Sequence, residues 1–126
     1  MAMVLDAGAL MGYDRGDRTV RALLETAQRD HVPVRTSTGA VAQSWRDGAR
    51  QVRLARLLRG VDERALSQPA ARRVGQLLGA AATVDVIDAA VVDVAMNGDE
   101  VLTSDPRDLA VLANASGKRL TVIKVG

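Results

Sequence analysis

Val84-Asp85-Val86-Ile87-Asp88-Ala89-Ala90-Val91-Val92 sets two acids at the start of an apolar helix. Thr83 and Asp85 are both residue types that cap helix N-termini, and Asp88 follows Asp85 by three positions. That spacing puts both carboxylates in or near the first turn, pointing out of one end of the helix. After Asp88 the run Ala89, Val91, Val92, Val94, Ala95 and Met96 reads as buried. A helix with so little polar face belongs inside a layered domain. Two more acids stand directly after apolar runs: Asp6 after Met3-Val4-Leu5, and Asp105 after Val101-Leu102-Thr103-Ser104. If those runs are strands of one sheet, the carboxylates gather at one of its edges.

The order of elements supports a sheet. Ala2 to Leu5 reads as a buried strand and Ala7 to Tyr13 as a small apolar helix. Asp14 to Asp17 is a turn, with Asp17 capping a helix whose stripe is Val20, Leu23, Leu24 and Ala27. A second strand is expected over Val32 to Thr36, and a helix over Thr38 to Arg46. Helix resumes after Gly48, from Ala49 to Arg59, with Leu54, Leu57 and Leu58 inward. Gly60 to Leu66 allows at most a short edge strand. Pro69 suits the first turn of a helix running to about Ala81. The Asp85–Asp88 helix is expected to end at Asn97-Gly98 in a left-handed cap. Glu100 to Thr103 is a strand, Pro106 to Ala115 a helix closed by Gly117, and Leu120 to Val125 a last strand. Strands alternating with helices predict a three-layer α/β/α domain over residues 1–126. Its sheet would be mostly parallel, of four to five strands, with ligands bound beyond the strands' carboxyl ends.

Composition narrows the chemistry. One Trp, one Tyr and no Phe count against modules that stack bases on aromatic platforms. Without Cys there is no disulfide, thiolate site or cysteine nucleophile, which fits a reducing cytoplasm. No run is long enough to span a membrane, and the first residues lack a basic-then-apolar signal, so a cytoplasmic chain is expected. A net charge of +2 does not imply RNA binding. His31 stands alone, which excludes a two-histidine ribonuclease. No Gly-x-Ser-x-Gly elbow, P-loop or dinucleotide fingerprint is present. What remains is a carboxylate cluster. Crowded carboxylates repel unless a cation sits among them, and oxygen donors select hard ions such as Mg²⁺ or Mn²⁺. Acidic sites of this kind commonly serve phosphodiester hydrolysis.

Each acid also has a plainer role. Asp85, Asp105 and Asp108 all stand where helix caps stand, whereas Asp6 has no comparably strong capping pattern. Arg46, Arg50 and Arg53 could line an RNA groove or be the wet side of an amphipathic helix. Trp45 is expected as a core or interface anchor rather than a base stacker. A phospho-acceptor receiver domain would need two adjacent acids after the first strand, and Asp6 is followed by Ala7-Gly8.

Val4-Leu5-Asp6-Ala7-Gly8-Ala9-Leu10 resembles the opening motif of PIN-domain ribonucleases. Thr83 to Ala89 resembles their central acid motif, and Leu102-Thr103-Ser104-Asp105-Pro106-Arg107-Asp108-Leu109 their last. Order, spacing and chain length match over nearly the whole chain, and most small single-domain members of that family are VapC-type toxins of bacterial toxin–antitoxin modules. The resemblance implies a Mg²⁺- or Mn²⁺-dependent endoribonuclease, homodimeric and restrained by an antitoxin. Asp6, Asp88 and Asp105, helped by Asp85, would hold one or two ions and carry catalysis on RNA, with Thr103 and Asp108 in support. One departure stands out: the family carries a Glu on the helix after the second strand, and here Gln43 occupies its place. Glutamine offers a carbonyl oxygen but neither charge nor proton acceptor. A catalytically attenuated PIN-fold module that binds RNA or a protein is therefore the alternative.

Overall fold

The strands are short because the buried apolar runs are short: β1 Met3–Leu5, β2 Val34–Ser37, β3 Asp62–Arg64, β4 Glu100–Thr103 and β5 Thr121–Lys124. Between them lie α1 Ala7–Asp14, α2 Arg18–Arg29, α3 Thr38–Ser44, α4 Val52–Leu58, α5 Gln68–Ala81, α6 Val86–Val94 and α7 Pro106–Ser116. The computed structural model describes all residues from Met1 to Gly126. Every strand pair is parallel, in the order β3-β2-β1-β4-β5. A parallel sheet must be covered on both faces. Helix α1 packs with α2, α3 and α4, while α5, α6 and α7 pack on one another. The architecture is the expected three-layer PIN-like α/β/α fold, with a sheet of five strands, all parallel.

The topology determines where a ligand could sit. From β1 the chain moves outward to β2 and β3, then crosses back to β4 and on to β5. The direction of winding therefore reverses between β1 and β4, which pair directly, Leu5 opposite Leu102. In an open parallel sheet the connections on either side of such a point leave on opposite faces, opening a crevice beyond the carboxyl ends. Asp6 follows β1 and Asp105 follows β4, so the two acids flank that crevice. One continuous core of 22 buried residues, including Val4, Leu5, Leu10, Val91, Val92, Val101 and Leu102, fixes these strands from beneath. No helix is long and apolar enough to cross a membrane.

Three expectations need correction. Helix α6 ends at Val94 rather than at Asn97-Gly98, with Ala95 extended at its C-cap. The cause lies at Lys118, whose ammonium donates to the carbonyls of Val92, Asp93 and Ala95 at 2.7–2.9 Å. Those carbonyls are drawn together by a cation more than twenty residues away, which no local signal reveals. Gly98 does take a left-handed backbone, φ +91°, but in the turn that delivers Asp99 into β4. Met96, read as buried, is accordingly half exposed at 52%. Of the two places expected for Trp45, core or interface, the core is excluded: it is 37% exposed. The helix expected over Ala49 to Arg59 is shorter, Val52–Leu58.

At the opposite edge of the sheet Asp99 is buried. It accepts from the Ala2 and Met96 amides, and from Arg35 Nη1 at 3.3 Å. This pair ties the starts of β1, β2 and β4 together, so the carboxyl edge is held from behind.

Candidate active site at the carboxyl edge

Three of the acids begin helices. Asp6, Asp85 and Asp105 are the N-caps of α1, α6 and α7. In each, one carboxylate oxygen accepts the amide three residues on: Ala9 at 2.8 Å, Asp88 at 3.0 Å and Asp108 at 3.4 Å. Capping and chemistry are thus not exclusive here, because a carboxylate has a second oxygen. The capping role of Asp6 had no strong signature in sequence, since Ala and Gly follow it, yet its geometry is the best of the three.

Asp6 is the buried acid, 4% exposed, at the floor of the crevice. Burial pushes its carboxyl above the ordinary carboxylate value, the Thr103 hydroxyl and the Ala9 and Gly8 amides pull it back, and Asp105 pushes it up again. Thr103 also accepts from the Asp105 amide at 2.9 Å, so it joins the two strand ends. Asp88 lies in the first turn of α6, partly buried. Desolvation, then the charges of Asp85, Asp6 and Asp108, push its carboxyl up to about 7. Asp108 is raised by its hydrogen bond with Asp105 and by the charges of Asp105 and Asp85. Five acids drawn from three elements therefore share one electrostatic field, a grouping that the strand order produces.

The donor set is all oxygen, the chemistry of hard cations, and the repulsion that lifts Asp88 is what such a cation relieves. No three acidic or histidine side chains, however, converge closely enough to share one ion as they stand. Closure on an ion would require carboxylates to turn. Gln43 is exposed on α3.

Arg46, Arg50 and Arg53 do not gather at the acids. Arg46 Nη1 donates to the carbonyls of Ala42 and Trp45, and Arg50 lies 3.7 Å from Asp47 with its side chain 89% exposed. Arg53 donates to the Asp14 carbonyl, at the end of α1 remote from Asp6, about 12 Å along the helix axis.

The role of Asp85 can be separated by substitution. Asn caps nearly as well as Asp, whereas Ala costs about 1 kcal/mol. Asp85→Asn is expected to keep metal-free stability and lose Mn²⁺ affinity by calorimetry, and Asp85→Ala to lose both. Unchanged Mn²⁺ binding in Asp85→Asn would make Asp85 a cap and nothing more.

No family model matches the sequence, and no curated protein matches it. Among solved structures, the chain is similar to a chain in the crystal structure of VapBC2 from Rickettsia felis bound to a DNA fragment from their promoter. The TM-score is 0.69 at 13% identity, over 98% of this chain and 100% of that one. At that identity the likeness is one of fold.

Proposed function

We propose that a chain folded in this way, with acids at the switch point of its sheet, is a metal-dependent endoribonuclease. Asp6, Asp88 and Asp105 would carry the hydrolysis of RNA phosphodiester bonds, with Asp85 assisting. The observation that carries the reading is the shared field of the five acids, in which Asp88 is pushed up to about 7. Mg²⁺ or Mn²⁺, when bound, lowers the pKa of a water and offsets charge on the leaving oxygen. The chain's own contributions are distinct. The Ala9 amide fixes one oxygen of the buried Asp6, and the Thr103 hydroxyl and Gly8 amide also reach its carboxylate. Thr103 spaces Asp6 from Asp105. Asp88, whose carboxyl is pushed up to about 7 when no ion offsets its neighbours, would give up that proton when a cation binds and then act as an anionic oxygen that orients water. The likeness to VapBC2, together with the motif resemblance, supports the toxin of a bacterial toxin–antitoxin module, with RNA as substrate, a cognate antitoxin as partner, and a cytoplasmic homodimer as the working form.

The test is cleavage of total cellular RNA by the wild type and Asp6→Asn side by side, with Mn²⁺ and with EDTA. Cleavage that needs both Mn²⁺ and Asp6, falling at least 100-fold in the variant, is expected. Equal cleavage by both proteins would remove the acids from the mechanism.

A second reading is favoured by two observations: no three acids converge, and Gln43 stands on α3 where an acid is expected. The chain would then be an attenuated PIN-fold module that binds RNA or a protein without cutting. Gln43→Glu adds an anionic donor at nearly the same volume. Mn²⁺ affinity and cleavage should both rise about tenfold if α3 faces the ion, and a flat response places Gln43 outside the site.

A further inference from the structure

A second cavity lies at the amino edge of the sheet, at the far end of α1 from Asp6. Helices α2 and α4 both pack on α1 but scarcely on each other, which leaves a gap between them. The gap measures about 490 Å³, a volume in the range of small-ligand sites. Leu24, Val34, Leu57 and Val61 give it an apolar lining. Its two walls carry opposite charge, Glu25 on α2 and Arg56 on α4. Every ion pair of the chain lies elsewhere, so neither charge is neutralised by the other or by a neighbour. A third feature is His31, just past the C-cap of α2, with a left-handed backbone at φ +55°. Glycine is the ordinary residue at such a helix end, and a histidine there is strained. The strained residue belongs to the lining of the cavity, where glycine would offer no side chain.

We propose that this cavity binds a short peptide with free termini and an apolar side chain, its ammonium against Glu25 and its carboxylate against Arg56. Charge complementarity selects a zwitterion, because a ligand with one charge would leave either Glu25 or Arg56 against its apolar part. The width of the gap selects a peptide. Packed helices run about 8–10 Å apart, and α2 and α4 stand further apart than packed helices do. A single amino acid holds both charges on one carbon, whereas two or three residues set them on opposite walls. The apolar lining between the walls then takes the side chain. The site is separated from the acids by the length of α1, about 12 Å, and does not depend on the ribonuclease reading.

The test is calorimetric titration of the full chain, in EDTA, with the tripeptide Ala-Leu-Ala, its N-acetylated form, its C-amidated form and Ala-Ser-Ala. Saturable binding of Ala-Leu-Ala is expected. Blocking either terminus removes a charge-assisted contact and should weaken affinity about tenfold. Ala-Ser-Ala should also bind more weakly, having less apolar surface to bury. The losses should be coupled: acetylation should cost nothing further in Glu25→Gln, and amidation nothing further in Arg56→Gln. Both positions are exposed, so both variants should fold as the wild type does by circular dichroism. His31→Gly should melt no lower than the wild type yet bind less tightly, a split that a purely structural residue would not produce. Absence of a saturable heat, equal binding of the blocked peptides, or undiminished binding by both charge variants overturns the proposal. So does a change from dimer to monomer in sedimentation of Glu25→Gln or Arg56→Gln, which would mean that a second copy covers the cavity.

Discussion

Raising the pH from 5 to 8 in EDTA is expected to lower the melting temperature of the wild type by roughly 5–10 °C, and to leave Asp88→Asn nearly flat by comparison. The folded carboxyl of Asp88 titrates at about 7, pushed up by desolvation and by Asp85, Asp6 and Asp108, whereas the unfolded one titrates at the ordinary value of 3.8. Between these values the folded state holds a proton that the unfolded state has lost. Stability therefore falls as pH rises through that window and levels off above 7. Solvent still reaches the carboxyl, so the loss is on the order of 2 kcal/mol rather than the full linkage value. Burial raises Asp6 in the same direction, adding to the slope. Metal binding runs oppositely, because a carboxylate must lose its proton to act as a ligand. Mn²⁺ affinity should climb about tenfold per pH unit up to 7 in the wild type, and be weak and flat in Asp88→Asn. Coincident melting curves for both proteins at pH 5 and 8 would show that the acids do not share one field.

The second large effect is expected at Gly8. A Cβ there would lie 2.8 Å from Ser104 Cβ and 3.3 Å from the Ser104 amide nitrogen, so α1 and the β4–α7 connection touch through a missing side chain. Gly8→Ala gains helix propensity, yet the overlap must push α1 off the strand end. Overpacking of this kind costs about 1–3 kcal/mol. It also parts Asp6 from Asp105, so RNA cleavage should fall by more than the stability loss explains. Ser104→Gly removes the nearest atoms and should restore both properties in the double variant. Failure of the double variant to recover, when each single variant folds, would place the damage in the helix itself.

Much of this edge was legible because its signals are local. An acid after an apolar run and before a small residue is a strand end followed by a helix start, and Asp17, Asp85 and Asp105 each cap as their spacing implies. The illegible parts depend on partners distant in sequence. Lys118 gathers the carbonyls that end α6 early. Arg35 is buried against Asp99, 64 positions away, in a strand read only from its valines and threonine. Trp45 reads as a core or interface anchor because tryptophan is usually buried, yet it is 37% exposed with its ring against Gly48. The convergence of side chains on an ion is not a property of spacing, which is why the acid positions could be read and their closure could not.

The adjacency of β1 and β4 has a consequence in time as well as in space. Ala2 donates to Asp99 across 97 positions, and Leu5 stands opposite Leu102. Loops of that length close late, and a parallel pair cannot form by a local hairpin. On a ribosome, a nascent chain that already displays Asp6 has no β4 to set Asp105 beside it. The crevice therefore comes into being only when about four-fifths of the chain has emerged, so incomplete chains carry the first acid without the active edge.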